Sequence, residues 1–419
     1  MSHEQHEQSL RSRIAPHRRL VLLGVSAVAL IGLFVAAYLL VPGASWNRSD
    51  SGGRGESALP SVNIDVAERG GGSGKPPALG MQFHGTWDTY YQGSGATPNA
   101  MFTKHLDQLA AHGVKLLRVD AGWSASQPRD ETPRLSSSYN QRIKRVLDEA
   151  GNRDMDVLLT LWRSPEWARP ASGGANQFPI DPKDIAPWAT WMAKTFGDRV
   201  AAWQIWNEPN LVEFTGVEDD NDRVEKYVPI LKSASQGIKA GDSDAVVVFG
   251  GPAQNDDVFI EQCYELGAKK FFDIMAVHPY QGDQTREPEA PDPGKKYYTS
   301  HFATIADVMK QYGDDTKPVW WTEFGYSVHS NENVPQDMSW RKGVDSEQTS
   351  GDYLRRTFEL ARKQYPQVKA IFVYTAYRQG TDPYGHESGY SMLQPDGTPR
   401  QQLTMLRDYM NRFDQSRQS

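Results

Sequence analysis

Two glutamates stand out by where they fall. Glu208 lies at the end of the apolar run in VAAWQIWNEPN, and Glu323 in KPVWWTEFGYS. In each case a strand-like segment is about to turn, with Pro209 unable to continue the pairing after the first and Gly325 following the second. A carboxylate beside Trp203, Ile205 and Trp206 is partly desolvated, which raises its pKa and lets it hold a proton near neutral pH. That is what a general acid needs. A second carboxylate on a nearby strand, roughly 5 to 5.5 Å away, would complete a pair in which one group protonates a leaving oxygen and the other attacks an anomeric carbon. Either glutamate alone reads equally well as a solvated loop carboxylate or an arginine's partner. Their joint placement is what points to chemistry.

These side chains need a scaffold that gathers strand ends. From Leu79 onward, short apolar runs alternate with amphipathic segments, the pattern of repeated β-α units around a parallel sheet. The expected strands are Leu79 to His84, Lys115 to Asp120, Asp156 to Trp162, Val200 to Trp206, Ala245 to Gly250, Phe272 to His278, Val319 to Thr322 and Ala370 to Tyr374. Between them, Phe102, Leu106 and Leu109, and then Ile143, Val146 and Leu147, recur at helical spacing. The count fits an α/β fold of the (β/α)8 TIM barrel type, with an open doubly wound sheet as the alternative. No Gly-rich phosphate loop follows the first strand. Most strand runs end in ionisable or aromatic groups: His84, Arg118, Asp120, Trp162, Asn207, His278 and Tyr280 join the two glutamates. In a TIM barrel the C-terminal strand ends open onto the active site. His278 and Tyr280, two apart, share one strand face, although a histidine packed at the barrel rim is the plainer reading of His278.

The barrel is expected over residues 79–419. Before it, Leu20 to Val41 reads LVLLGVSAVALIGLFVAAYLLV without a charge, long enough to span a bilayer. Arg11, Arg13, Arg18 and Arg19 precede it, so the positive-inside rule leaves residues 1–19 as a cytoplasmic tail and exports the chain beyond Val41. The reading is a single transmembrane signal-anchor helix at the cell membrane. A cleavable signal peptide, giving a secreted enzyme, is the alternative. Residues 42–78, rich in Gly, Ser, Arg and Pro, read as a flexible linker. The net charge of -7 argues against a nucleic-acid partner. Cys263 is the single cysteine, so no intrachain disulfide can form, and its apolar helical setting suits core filling.

WNEPN and WTEFGYS resemble the acid/base and nucleophile motifs of clan A glycoside hydrolases, with the overall spacing most similar to family 39-like members. The resemblance takes in RVDAGWS, HPY and the closing GYSMLQPDGTPRQQL, over about Leu79 to Arg407. It implies a retaining hydrolase with Glu208 as acid/base and Glu323 as nucleophile. Asn207 would then bind the sugar 2-hydroxyl, Tyr280 would donate to the nucleophile, and Arg118 would lie against it. His84, Trp162, Trp206, His278 and Tyr377 complete the implied sugar site. Two positions depart from the clan. Strand eight offers Tyr374 or Tyr377 in place of the usual Trp, and strand three has no histidine, so Trp162 is read as filling that space.

Trp87, Tyr90, Tyr91, Trp123, Trp162, Trp167, Trp206 and Tyr326 all lie at or just past expected strand ends, where aromatic faces can stack on sugar C–H faces or simply wall a pocket. Trp188 and Trp191, on an expected outer helix, read as packing residues. No HExxH, CxxC pair or calcium loop is present, and carboxylate-based glycoside hydrolysis calls for no metal or cofactor. The expected substrate is a β-linked oligo- or polysaccharide, an exopolysaccharide or cell-envelope polymer. An exo-acting β-xylosidase-like enzyme and a non-catalytic glycan-binding barrel in an export assembly are the other readings.

Overall fold

The computed structural model describes residues 74–87, 91, 99–379 and 382–414. Among them no helix is long and apolar enough to cross a membrane. The segment Leu20 to Val41, the tail before it and the tether up to residue 73 lie outside the described residues.

Eight parallel strands run in the order β5-β4-β3-β2-β1-β8-β7-β6. They are β1 (Ala78–Gln82), β2 (Leu116–Gly122), β3 (Asp156–Trp162), β4 (Ala202–Ile205), β5 (Val247–Val248), β6 (Met275–Val277), β7 (Val319–Phe324) and β8 (Val368–Val373). The two ends of that order meet. Val248 bridges Ile274, the Phe249 amide donates to the Ile274 carbonyl at 3.0 Å, and the His278 amide donates to the Pro252 carbonyl at 3.0 Å. The sheet is therefore closed into the expected (β/α)8 barrel, with no exposed edge at this seam.

A helix follows each strand: α1 (Ala100–Ala111), α2 (Ser138–Gly151), α3 (Ile185–Phe196), α4 (Asp220–Gly241), α5 (Asp257–Glu265), α6 (Phe302–Gln311), α7 (Glu347–Gln364) and α8 (Gln401–Asp414). Their starts are set by side-chain caps. Asn99, Ser137, Asp219, Asp256 and Ser346 each accept from an otherwise unpaired first-turn amide. On α3 the buried residues are Ile185, Trp188, Ala189, Met192, Ala193 and Phe196, a stripe at helical spacing that faces the core. Trp188 is thus the packing residue expected. Cys263 is buried on α5.

The strands sort side chains by alternation. Leu79, Met81, Leu117, Val119, Leu159, Leu161 and Trp203 are buried hydrophobics, whereas Gln82, Arg118, Thr160, Gln204 and Thr322 are buried polar groups. Gln82 pairs in register with Arg118, and Thr160 with Gln204. The upper barrel is filled by a hydrogen-bonded polar layer rather than by branched apolar residues, and the site is built on that layer.

Candidate active site

Arg118 is the centre of the polar layer. Its guanidinium, only 1% exposed, donates from Nε to Gln204 Oε1 at 2.7 Å, from Nη1 to Gln82 Oε1 at 2.9 Å and to Glu323 Oε1, and from Nη2 to Asn207 Oδ1 at 2.7 Å. A buried charge is tolerated only when its donors are satisfied in this way. A guanidinium can only donate, so it fixes which way all three amides point. Asn207 presents its oxygen to Arg118, which leaves its Nδ2 donor for the cavity. Gln204 likewise turns its Nε2 to Phe249 O at 3.1 Å and Thr322 Oγ1 at 3.0 Å. The Thr322 hydroxyl accepts from Gln204, and among the described residues the one acceptor for its own hydrogen is His278 Nε2 at 3.1 Å. This assigns the histidine hydrogen to Nδ1, which donates to Glu208 Oε1 at 2.9 Å. The chain of bonds runs unbroken from Arg118 to Glu208.

The two glutamates end up facing one another. A Glu208 oxygen, a His278 nitrogen and a Glu323 oxygen all lie within 4.8 Å of one another, close to the roughly 5 Å separation of a retaining pair. Both carboxylates are 14% exposed. Their surroundings differ. Burial pushes Glu208 up to about 7 despite the pull of Arg118. Glu323 is gripped at Oε1 by Arg118 and at Oε2 by the Tyr280 hydroxyl at 3.3 Å. Burial holds the Tyr280 hydroxyl well above the ordinary tyrosine range, so it stays a donor, and burial lowers His278 to about 3, so its ring is neutral. Among the described residues these three groups form the one cluster with metal-ligand spacing. With a hydrogen on Nδ1 and Arg118 on Glu323, its chemistry is that of a proton site.

A cavity of about 400 Å³ opens over this pair, lined among others by His84, Trp87, Asp120, Trp162, Asn207, Tyr280 and Tyr374. A model of the cellulase family (glycosyl hydrolase family 5) matches residues 78–353, the barrel from β1 into α7. The chain belongs to glycosyl hydrolase family 5. That family lies in clan A, the clan its motifs resemble. The likeness drawn from its motifs was to family 39, and structures of both families share the fold. A family 39 glycoside hydrolase from Bacteroides cellulosilyticus WH2 is 20% identical with a TM-score of 0.60, covering 84% of this chain and 65% of that one. A variant of a family 5 enzyme from Streptomyces cattleya, in complex with Manb1-4GlcNAc, is 17% identical with a TM-score of 0.59, covering 80% and 81%. The human lactase/phlorizin hydrolase is 29% identical over 159 residues, 34% of this chain and only 8% of that protein's length.

In this family 5 barrel most of the expected site residues converge, and two do not. Glu208, Glu323, Asn207, Tyr280, His84 and Trp162 line the cavity, with Arg118 and His278 immediately beneath them. Trp206 is instead fully buried, its indole donating to the Phe214 carbonyl at 2.7 Å and its ring packing on Phe178 at 5.0 Å. The cause is a left-handed backbone at Trp206 (φ 74), which breaks the strand alternation that would have carried its side chain along with Gln204. Tyr377 is also outside the cavity. After β8 the Ala376 amide donates to Gln82 O at 2.9 Å, and this course takes Tyr377 to α1, where it meets His105 edge-on at 5.4 Å. Tyr374 takes the strand-eight position in the cavity wall. Of the other aromatics, Trp87 lines the cavity, Tyr91, Trp123 and Tyr326 are buried in the core, and Trp167 bonds to the Gln127 carbonyl. Tyr90 lies outside the described residues.

Asp120, marked in the sequence as a strand-end group without a role, organises one wall of the cavity. It accepts from the indoles of Trp87 and Trp162 at 3.1 Å each, and from Gln82 at 3.4 Å. Although burial alone would raise its pKa, the hydrogen bond and charge of His84 bring it below the usual range. The available signal was its position two residues after Arg118 on the same strand face. Arg378, His386, Glu387 and Tyr390 also line the cavity. They come from the segment after β8, where a single helical turn (His386–Gly389) is too short for periodicity to mark an inward side chain.

Proposed function

We propose that Glu208 is the acid/base and Glu323 the nucleophile of double displacement on a β-linked glycan. The substrate would be an exopolysaccharide or cell-envelope polymer outside the membrane. The observation that carries this reading is the asymmetry of the two carboxylates: one is raised to about 7 by burial, the other is held by Arg118 and Tyr280. Glu323 attacks the anomeric carbon as Glu208 transfers its proton to the leaving oxygen, leaving a glycosyl ester on Glu323. Because His278 Nδ1 donates to Glu208 Oε1, the transferable proton belongs on Oε2. Glu208, now ionised, takes a proton from water, the resulting hydroxide opens the ester, and the sugar leaves with its configuration retained. Asn207 Nδ2 donates to the 2-hydroxyl, an interaction that strengthens as charge develops on the ring.

The location outside the membrane rests on the Leu20 to Val41 segment and its preceding arginines. A tethered hydrolase would act on polymer leaving or coating the same cell. Product analysis by NMR on a panel of β-linked oligosaccharides tests the assignment. Glu208→Gln and Glu323→Gln should each lower kcat at least about a hundredfold, and full activity in either variant would remove that residue from its role.

A further inference from the structure

Among the described residues, every charged group lining the cavity but one has a hydrogen-bonded or ion-paired partner. Glu323 is bound by Arg118, Glu208 by His278, Asp120 by two indoles and His84, and Glu387 by Arg378 at 2.7 Å. The exception is Arg163, just after β3, whose charge helps to lower the Asp120 carboxyl without pairing with it. It lines the cavity, half-buried, with its guanidinium 5.4 Å from the Trp162 ring centroid. Among the described residues no carboxylate lies within ion-pairing distance of it and no hydrogen bond engages its side chain. Its backbone has φ 71, a left-handed conformation that costs a non-glycine residue about 1–2 kcal/mol, and the Arg163 carbonyl is tied down by the Ser124 amide at 2.7 Å. The chain therefore holds a planar cation, with its donors unused, beside an aromatic face in the sugar cavity.

We infer that Arg163 binds an anionic substituent, a carboxylate or a sulfate ester, on the glycan that occupies this cavity. A guanidinium matches either group with two parallel hydrogen bonds. Trp162 would meet the face of the sugar that carries the charge. This rests on the proposed glycan substrate and deepens it from a β-linked polymer to an acidic one.

The experiment uses the full chain and three oligosaccharides with one β-linked backbone: uronate-bearing, its carboxyl-reduced neutral counterpart, and an O-sulfated form. Hydrolysis gives kcat/KM, and calorimetry on Glu208→Gln gives Kd without turnover. At least one anionic form should be preferred over the neutral one by about tenfold, equivalent to about 1.4 kcal/mol. Arg163→Gln should bring that ratio close to one, and Arg163→Lys should keep part of it. A preference for the uronate form alone identifies a carboxylate, and for the sulfated form alone a sulfate. Equal handling of charged and neutral glycans, a preference that survives Arg163→Gln, or failure of both anionic forms to bind overturns the inference. The catalytic assignment fails separately, through turnover that persists in Glu208→Gln or Glu323→Gln.

Discussion

Glu208 shows most directly how burial becomes chemistry. Its carboxyl is raised to about 7, so the proton the acid step needs is present below that pH and lost above it. The kcat/KM profile should fall on its alkaline side near pH 7, and His278, lowered to about 3, should leave no mark between. The same shift has a stability consequence. A carboxyl raised above its unfolded value favours the fold most at low pH, and that contribution disappears as pH rises through about 7. Glu208→Gln removes the cost of an ionised buried group, roughly 3 kcal/mol at most at 1.36 kcal/mol per pKa unit. Thermal melts should therefore show the variant gaining on the native protein at pH 8 and matching it near pH 4. Thr322 tests the other end of the same bond chain. Thr322→Val leaves His278 Nε2 without its donor, so the ring can adopt the other tautomer and accept a hydrogen bond from Glu208 at Nδ1, turning the carboxyl proton away from the leaving oxygen. We expect kcat to drop roughly tenfold with KM little changed, and Thr322→Ser to restore it.

At the level of elements, alternation explains both what was readable and what was not. On β1 the period of two continues past the strand end and places His84 with Gln82 at the cavity, while within β2 it puts Asp120 on the face of Arg118. At the end of β4, left-handed residues at Trp206 and Glu208, φ 74 and 45, interrupt that period. Trp206 is consequently sent into the core while Glu208 faces the cavity. No local pattern announces a left-handed tryptophan, a conformation its side chain disfavours and only surrounding contacts impose. The outer ring depends on close helix contact instead. A Cβ on Gly237 of α4 would lie 2.5 Å from the Ala186 carbonyl oxygen of α3, and one on Gly241 2.6 Å from that of Thr190. Gly237→Val should lower unfolding stability by about 1–3 kcal/mol, read as an earlier denaturant midpoint. Since α3 and α4 flank β4, some loss of kcat at temperatures near the new midpoint should accompany it.

For the whole molecule, the barrel and every residue named at the cavity come from residues 78–414. Removing residues 1–73 should therefore leave kcat/KM on soluble oligosaccharides within about twofold of the full chain. The proposed anchor predicts that the same deletion moves the protein from the membrane to the soluble fraction, which cell fractionation would show. The amino-acid sequence by itself determined the eight-fold β-α repeat and the two strand-end glutamates, because strand burial and strand ends leave a period and a break in composition. It also carried Arg118, Asn207, His278 and Tyr280, each close to a recognisable motif. What only the tertiary structure decided is how these groups meet. Closing the sheet brings β1, β4 and β7 around one guanidinium of β2, and that guanidinium sets three amides, one hydroxyl and one imidazole tautomer. Partners 86, 89 and 205 residues apart in the chain leave no local signature of their bonding, so the Trp206 and Tyr377 expectations failed where backbone course, rather than residue type, directs the side chain.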